Sequence, residues 1–218
     1  MHPVLLIIIA VTAVISFLGF SNTSLFEKYK FNVAAIRQRK EYIRLLSAGF
    51  LHADVMHLLF NMMTLYFFGP IVIEAFGVVG FLVIYFGSIL LGNLFSLYLY
   101  QRQGWYSAIG ASGGVSGILF AAIAIYPSIG IYVFFIPIPV PGYIFGLLYF
   151  GYSVYMMLNP RQNDNIGHAA HLGGAFFGLV YAVALAPEAA ANHALQLGIM
   201  ALPLLYMAYM VFVKKRIG

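Results

Sequence analysis

Few residues in this chain could do chemistry. Ser112 sits in the run Gly110-Ala111-Ser112-Gly113-Gly114-Val115-Ser116-Gly117, which opens the apolar segment Ile118 to Tyr126. His57 and Asn61 are four residues apart and His168 and His171 three apart, spacings that put each pair on one helix face. A serine hydroxyl at its free pKa is a negligible nucleophile, and a neutral imidazole beside it removes its proton during attack. On the first turn of a helix, unpaired backbone N–H groups and the positive end of the helix dipole favour the anion that forms. Ser112 with His171 as base therefore reads as an acyl-transfer pair. The Asn61 amide, the His57 ring N–H and the Ser112 backbone N–H are candidate oxyanion donors, each worth about 3–4 kcal/mol of transition-state stabilisation. Ser116 completes a second Gly-x-Ser-Gly but lies about 6 Å deeper along the helix, where water and free N–H groups are scarcer.

The elements that must position these groups are membrane helices. Of 218 residues, 63% are hydrophobic and 8% charged, with a mean hydropathy of +0.94, more apolar surface than a soluble domain could bury. About 20 residues of helix cross roughly 30 Å of hydrocarbon. Seven stretches qualify: Val4–Phe20, His57–Glu74, Val78–Tyr100, Ser112–Tyr126, Gly142–Leu158, Gly167–Leu185 and Leu195–Val213. The first lacks a basic flank and an Ala-x-Ala site, so we read it as a retained span rather than a cleaved signal. Residues 21–56 mix six of the eleven basic residues with many aromatic and aliphatic ones, which fits an ordered loop of short amphipathic helices at the interface. Residues 128–141 contain Pro137, Pro139 and Pro141 and read as an extended interfacial connector. Asn159-Pro160 and Pro187 punctuate the ends of the fifth and sixth spans.

Gly113 and Gly117 on the fourth span, and Gly174 and Gly178 on the sixth, are small-residue stripes of the kind that lets membrane helices approach closely. If the stripes face each other, the Ser112 hydroxyl comes within reach of the His171 ring. Ionisable and strongly polar side chains inside spans are rare and costly, so each is a site hypothesis by default. Asn93, midway along the third span, is assigned a bond to a neighbouring helix rather than a catalytic role. With no cysteine, thiolate chemistry and zinc–thiolate sites are excluded.

On these residues the sequence resembles the rhomboid intramembrane serine proteases. The motifs are HxxxN from His57 to Asn61, GASG from Gly110 to Gly113, and AHLGGAFFG from Ala170 to Gly178, with Glu41-x-x-Arg44 in the first loop ahead of His52 and His57. The resemblance implies an all-α polytopic fold, a six-helix bundle of about residues 1–186, to which this chain appends a seventh transmembrane helix, in one membrane domain. It implies Ser112 as nucleophile, His171 as general base, and an oxyanion site from His57, Asn61 and the Ser112 backbone. Gly110 is grouped with His57 and Asn61 as oxyanion or substrate-binding. The implied partners are transmembrane protein substrates cut at small residues, in a lipid environment, with no cofactor. Two positions depart from the family pattern. Ile43 stands where an aromatic often precedes the loop arginine, and Ser116 where a bulky side chain commonly packs under the base.

Other readings are weaker. There is no HExxH, and Asp54 and Asp164 fall outside the spans, which excludes other intramembrane protease chemistries. A metal site from His52, His57, His168 and His171 lacks a carboxylate within the spans. A transporter would place paired broken helices at the midplane. The alternative of a different class is a non-catalytic relative that binds or escorts membrane clients; such relatives characteristically lose the serine or the histidine, and this chain keeps both. The net charge of +5 suggests anionic lipid headgroups rather than nucleic acid. All eleven Lys and Arg fall on the Ser112 side, which by the positive-inside rule is cytoplasmic. The family arrangement is the opposite, and we expect it here because a folded, membrane-lying loop escapes the counting rule. The expected location is a prokaryotic inner or plasma membrane.

Overall fold

The computed structural model describes residues 2–133, 137–160 and 166–214. The basic residues Arg161, Lys215 and Arg216, and Asp164, lie outside the described residues.

Helix α1 (Pro3–Ser21) starts with a proline at its first position, where the missing N–H costs nothing, and with the His2 ring accepting from the Val4 N–H. The first loop then folds rather than wandering. Asn22 caps α2 (Thr23–Tyr29) by accepting from the Leu25 N–H, and Asn32 caps α3 (Val33–Arg39) by accepting from the Ala35 N–H, both at 2.9 Å. A short α4 (Arg44–Ser47) follows, and Phe31–Asn32 (β1) pairs antiparallel with Ser107–Ala108 (β2) just ahead of the serine run. Arg44 seats the loop. Its buried guanidinium donates to the Glu27 and Lys30 carbonyls, each at 2.8 Å, and to the Glu41 carboxylate. Ile43 next to it is exposed, so the seat does not depend on an aromatic there.

The second and third expected spans form a single element, α5 (Val55–Leu99), interrupted at Gly77, where φ is 68° and ψ 177°. That left-handed backbone is one that glycine adopts without strain. The chain folds back there. A Cβ built on Gly69 would lie 3.5 Å from the Phe81 ring, twelve residues on, where a straight helix would hold the two about 18 Å apart. The two arms are residues 55–76 and 78–99.

Helix α6 (Ser112–Ile125) is the centre of the molecule, buried without interruption from Gly113 to Ala124 between α5 and α8 (His168–Leu185). Its close approach to α8 is set by the two glycine stripes. A Cβ on Gly174 would run into the Gly113 carbonyl, and one on Gly178 into the Gly117 carbonyl. The second arm of α5 meets α8 in the same way, with a Cβ on Gly92 colliding with the Ala170 carbonyl. Helix α7 (Gly142–Leu158) packs on α8 and, more extensively, on α10 (Ala194–Ala208), which continues as a π-helical turn through Val213. A short α9 (Pro187–Asn192) joins α8 to α10.

Within the connector before α7, Gly130–Ile131 (β3) and Val140–Pro141 (β4) pair antiparallel, and residues 134–136 between them lie outside the described residues. Three helices of 18 residues or more (α1, α8 and α10 with its π turn), both arms of α5, and the shorter α6 and α7 make seven apolar segments among the described residues. The fold is a helical membrane bundle of six spans with a seventh appended.

Because backbone atoms occupy the space where a side chain at Gly174 or Gly178 would go, Gly174→Val or Gly178→Val must push α6 and α8 apart. Each is expected to cost about 3 kcal/mol or more, read as a lowered unfolding temperature of the detergent-solubilised protein. A wild-type melting curve for both would rule out the tight packing.

Candidate active site

Ser112 is the first residue of α6, and His171 lies one turn into α8. Ser112 Oγ and His171 Nε2 are 2.6 Å apart, the distance of a hydroxyl donating to a ring nitrogen. In that arrangement Nε2 accepts and the ring proton resides on Nδ1. Ala111 precedes α6 with no side-chain cap, and the first bond of the helix runs from the Val115 N–H to the Ala111 carbonyl at 2.9 Å. The N–H groups of Ser112, Gly113 and Gly114 thus have no carbonyl of their own helix to bond.

The two residues ahead of Ser112 are held by the first loop. Gly110, at φ 118°, donates its N–H to the Ala48 carbonyl at 3.0 Å. The Ala111 N–H donates to His52 Nε2 at 3.4 Å. His52 is buried, and its tautomer follows from its neighbours. Ser16 of α1 donates its hydroxyl to the Phe50 carbonyl at 2.8 Å and so accepts from His52 Nδ1–H, also 2.8 Å away, leaving Nε2 as the acceptor. Burial first, and the adjacent His57 second, hold the His52 pKa down to about 3 against the opposing pull of Asp54. A neutral imidazole therefore links α1, the first loop and the residue before the serine.

His57 lies in the first turn of α5, where Asp54 caps the helix by accepting from the His57 N–H at 2.8 Å. Its ring stands edge-on to that of His52, centroids 4.9 Å apart, and its Nδ1 accepts from the Ala53 N–H at 3.5 Å, which leaves Nε2 to carry the proton. A Cβ built on Gly110 would sit 2.9 Å from His57 Nε2 and 3.5 Å from Ser112 Oγ. The lack of that atom lets the Gly110 backbone lie against the His57 ring beside the Ser112 hydroxyl. Asn61 is buried one turn further on and donates one amide N–H to the His57 carbonyl at 3.1 Å, which leaves the second for another acceptor. Ser112, His171, His57 and Gly110 thus converge on one end of the bundle, and Asn61 lines the same helix face as His57. Asn93 donates to the Leu45 carbonyl at 2.8 Å and anchors α4 to the second arm of α5. His168 is buried edge-on to Tyr152.

Sequence reasoning did not find the roles of His52, Ser16 and Tyr149. For Ser16 a signal was present, a lone hydroxyl in the apolar first span. Tyr149 is one aromatic among many on α7, and nothing in its spacing marks it; its ring lies nearly parallel to that of His171.

The rhomboid domain model matches residues 39–188, which include the loop arginine, the serine run and α8. The chain belongs to the rhomboid family. It is 32% identical over 146 residues to the Arabidopsis thaliana mitochondrial RHOMBOID-like protein 12, a match over 60% of this chain and 43% of that protein. It is 29% identical over 143 residues to the Saccharomyces cerevisiae mitochondrial Rhomboid protein 1, over 64% of this chain and 40% of that one. It is 30% identical over 136 residues to the Bacillus subtilis protein YdcA, named as a candidate rhomboid protease, over 62% of each. The match thus spans about half the length of these relatives. Two of them are mitochondrial by name, so membership of this family does not itself point to a prokaryotic plasma membrane.

The buried neutral His52 ties the stability of this rhomboid to pH. Well above pH 6.5 the ring is uncharged in both folded and unfolded chains. As pH falls from there toward the depressed folded value of about 3, the unfolded chain takes up a proton that the folded one refuses, and stability is lost progressively. Between pH 6.5 and 4.5 the loss is expected to be about 2 kcal/mol. Melting curves across that range should show it, and His52→Gln should flatten the dependence.

Proposed function

We propose that this protein is an intramembrane serine endopeptidase that cleaves transmembrane segments of other membrane proteins. The observation that carries this is the 2.6 Å pairing of the Ser112 hydroxyl with the His171 ring. In the reaction His171 Nε2 takes the hydroxyl proton while Oγ bonds to the scissile carbonyl carbon, whose oxygen becomes an oxyanion. The donors for that oxygen are His57 Nε2–H and the Ser112 N–H, with the second Asn61 N–H as a further one. Collapse of the intermediate breaks the C–N bond, and the imidazolium returns its proton to the leaving amine. Water then attacks the Ser112 ester with His171 again as base, which frees the acid and restores the hydroxyl. No cofactor enters this sequence. Its partners are helical transmembrane substrates and the surrounding lipid.

Support comes from the paired hydroxyl and imidazole, the uncapped helix start, and membership of a family in which one relative is named as a candidate protease. The alternative, a client-binding protein without catalysis, gains nothing from a serine and histidine kept at hydrogen-bond distance. Fluorophosphonate labelling of the purified protein decides between them. The wild type is expected to label on Ser112, and Ser112→Ala and His171→Ala are expected to lose both labelling and cleavage of a helical membrane substrate while still folded. Full activity in either variant would end the dyad reading. Asn61→Ala should lower kcat about 100-fold with less effect on KM, the usual cost of one oxyanion donor. Gly110→Ala, whose methyl would collide with the His57 ring on a backbone at positive φ, should abolish turnover.

A further inference from the structure

We propose that Tyr149 of α7 is the positioning residue for His171, supplying from a neighbouring helix the support under the base that α6 lacks at Ser116. This rests on the protease reading above. Ser116 follows Ser112 by one turn and shares its helix face. A bulky side chain there would carry its own ring toward the base; a serine leaves the space and offers a hydroxyl. Tyr149 uses both. Its phenol oxygen is 2.8 Å from Ser116 Oγ, and its ring lies 6.3 Å from that of His171 with only 17° between the planes, the range of offset stacking. Phe120 of α6, at 5.3 Å, and Phe145 of α7, at 5.9 Å, pack against the same tyrosine ring, so its own position is closely set.

The physical need is clear from the histidine side chain. The torsion that swings an imidazole about its Cβ–Cγ bond has broad wells, and a hydroxyl bond at Nε2 fixes one atom but not the plane. A flat ring alongside restricts the plane and keeps Nε2 aimed at Ser112 through both proton transfers. The hydroxyl bond to Ser116 ties that ring to the helix bearing the nucleophile. Three helices, α6, α7 and α8, therefore meet at one tyrosine. Because α7 packs most extensively on α10, the appended span braces the helix that supports the base. At Gly146, one turn before Tyr149, a Cβ would collide with Met200 of α10.

The test uses full-length protein in liposomes, with the fluorophosphonate labelling rate of Ser112 and the kcat and KM for a model transmembrane peptide as readouts. Tyr149→Met, which keeps bulk without a ring, is expected to slow labelling and lower kcat about tenfold or more, with KM within about twofold of wild type. Tyr149→Phe, which keeps the ring, should recover most of that loss, and so should Ser116→Phe combined with Tyr149→Met, which returns an aromatic from α6. Wild-type rates in Tyr149→Met would overturn the proposal, as would a defect in Tyr149→Phe equal to that of Tyr149→Met or a loss confined to KM. If Tyr149→Met does not fold, the comparison of Tyr149→Phe with wild type decides: a kcat within about threefold supports the ring's role, and a collapse overturns it. An unlabelled wild type would sink the protease reading, whereas labelling that ignores residue 149 sinks only this one.

Discussion

The contact of two bare helix backbones, α6 against α8, is the constraint from which the rest of the structure follows. Between helices in lipid the hydrophobic effect offers no net drive, and close packing must supply the association. At Gly113 opposite Gly174, and at Gly117 opposite Gly178, even a methyl group would meet a carbonyl oxygen. That proximity sets the distance across which a hydroxyl on one helix and an imidazole on the other can share a proton. The same device recurs between Gly92 of α5 and Ala170 of α8. The core is thus a trio of helices whose separations are fixed by absent side chains.

Around this trio the polar groups are held from outside. The segment before Ser112 has no freedom of its own: Ala108 and Ser107 pair with the first loop, Gly110 bonds to Ala48, and Ala111 bonds to His52. The loop in turn is seated by Arg44 on two carbonyls and a carboxylate. Glu41, bonded to Arg39 and then Arg44, has its carboxyl pKa lowered by those two partners, so it stays ionised and available to the arginine. His52 is kept neutral by burial, which lets one ring nitrogen accept where a charged ring could only donate.

Much of this was legible in the sequence because the bilayer imposes strong local rules. The span limits could be read from hydropathy, and the ends of α7 and α8 from Asn159-Pro160 and Pro187. The pairing of Ser112 with His171 could be read from the glycine stripes, since their registers leave the two residues at the same end. The chain reversal at Gly77 was visible only as a gap between two apolar runs. What could not be read was cooperation between distant short segments. Neither the β1–β2 pairing nor the β3–β4 pairing, each of two residues with two, has any periodicity to announce it. The link from Ser16 through His52 to Ala111 joins three segments that share no spacing. Tyr149 takes over the space left at Ser116 from a different helix, and a motif confined to one helix cannot show that.

Helix α6 has 14 residues and so rises about 21 Å, short of the roughly 30 Å of hydrocarbon in an ordinary bilayer. Its first residue is the serine, and its remaining turns are enclosed by protein. The depth of the hydroxyl beneath the headgroups is therefore a property of the host membrane as much as of the chain. In a bilayer of longer acyl chains water has farther to travel to reach that hydroxyl, so lipid composition governs how readily it meets water.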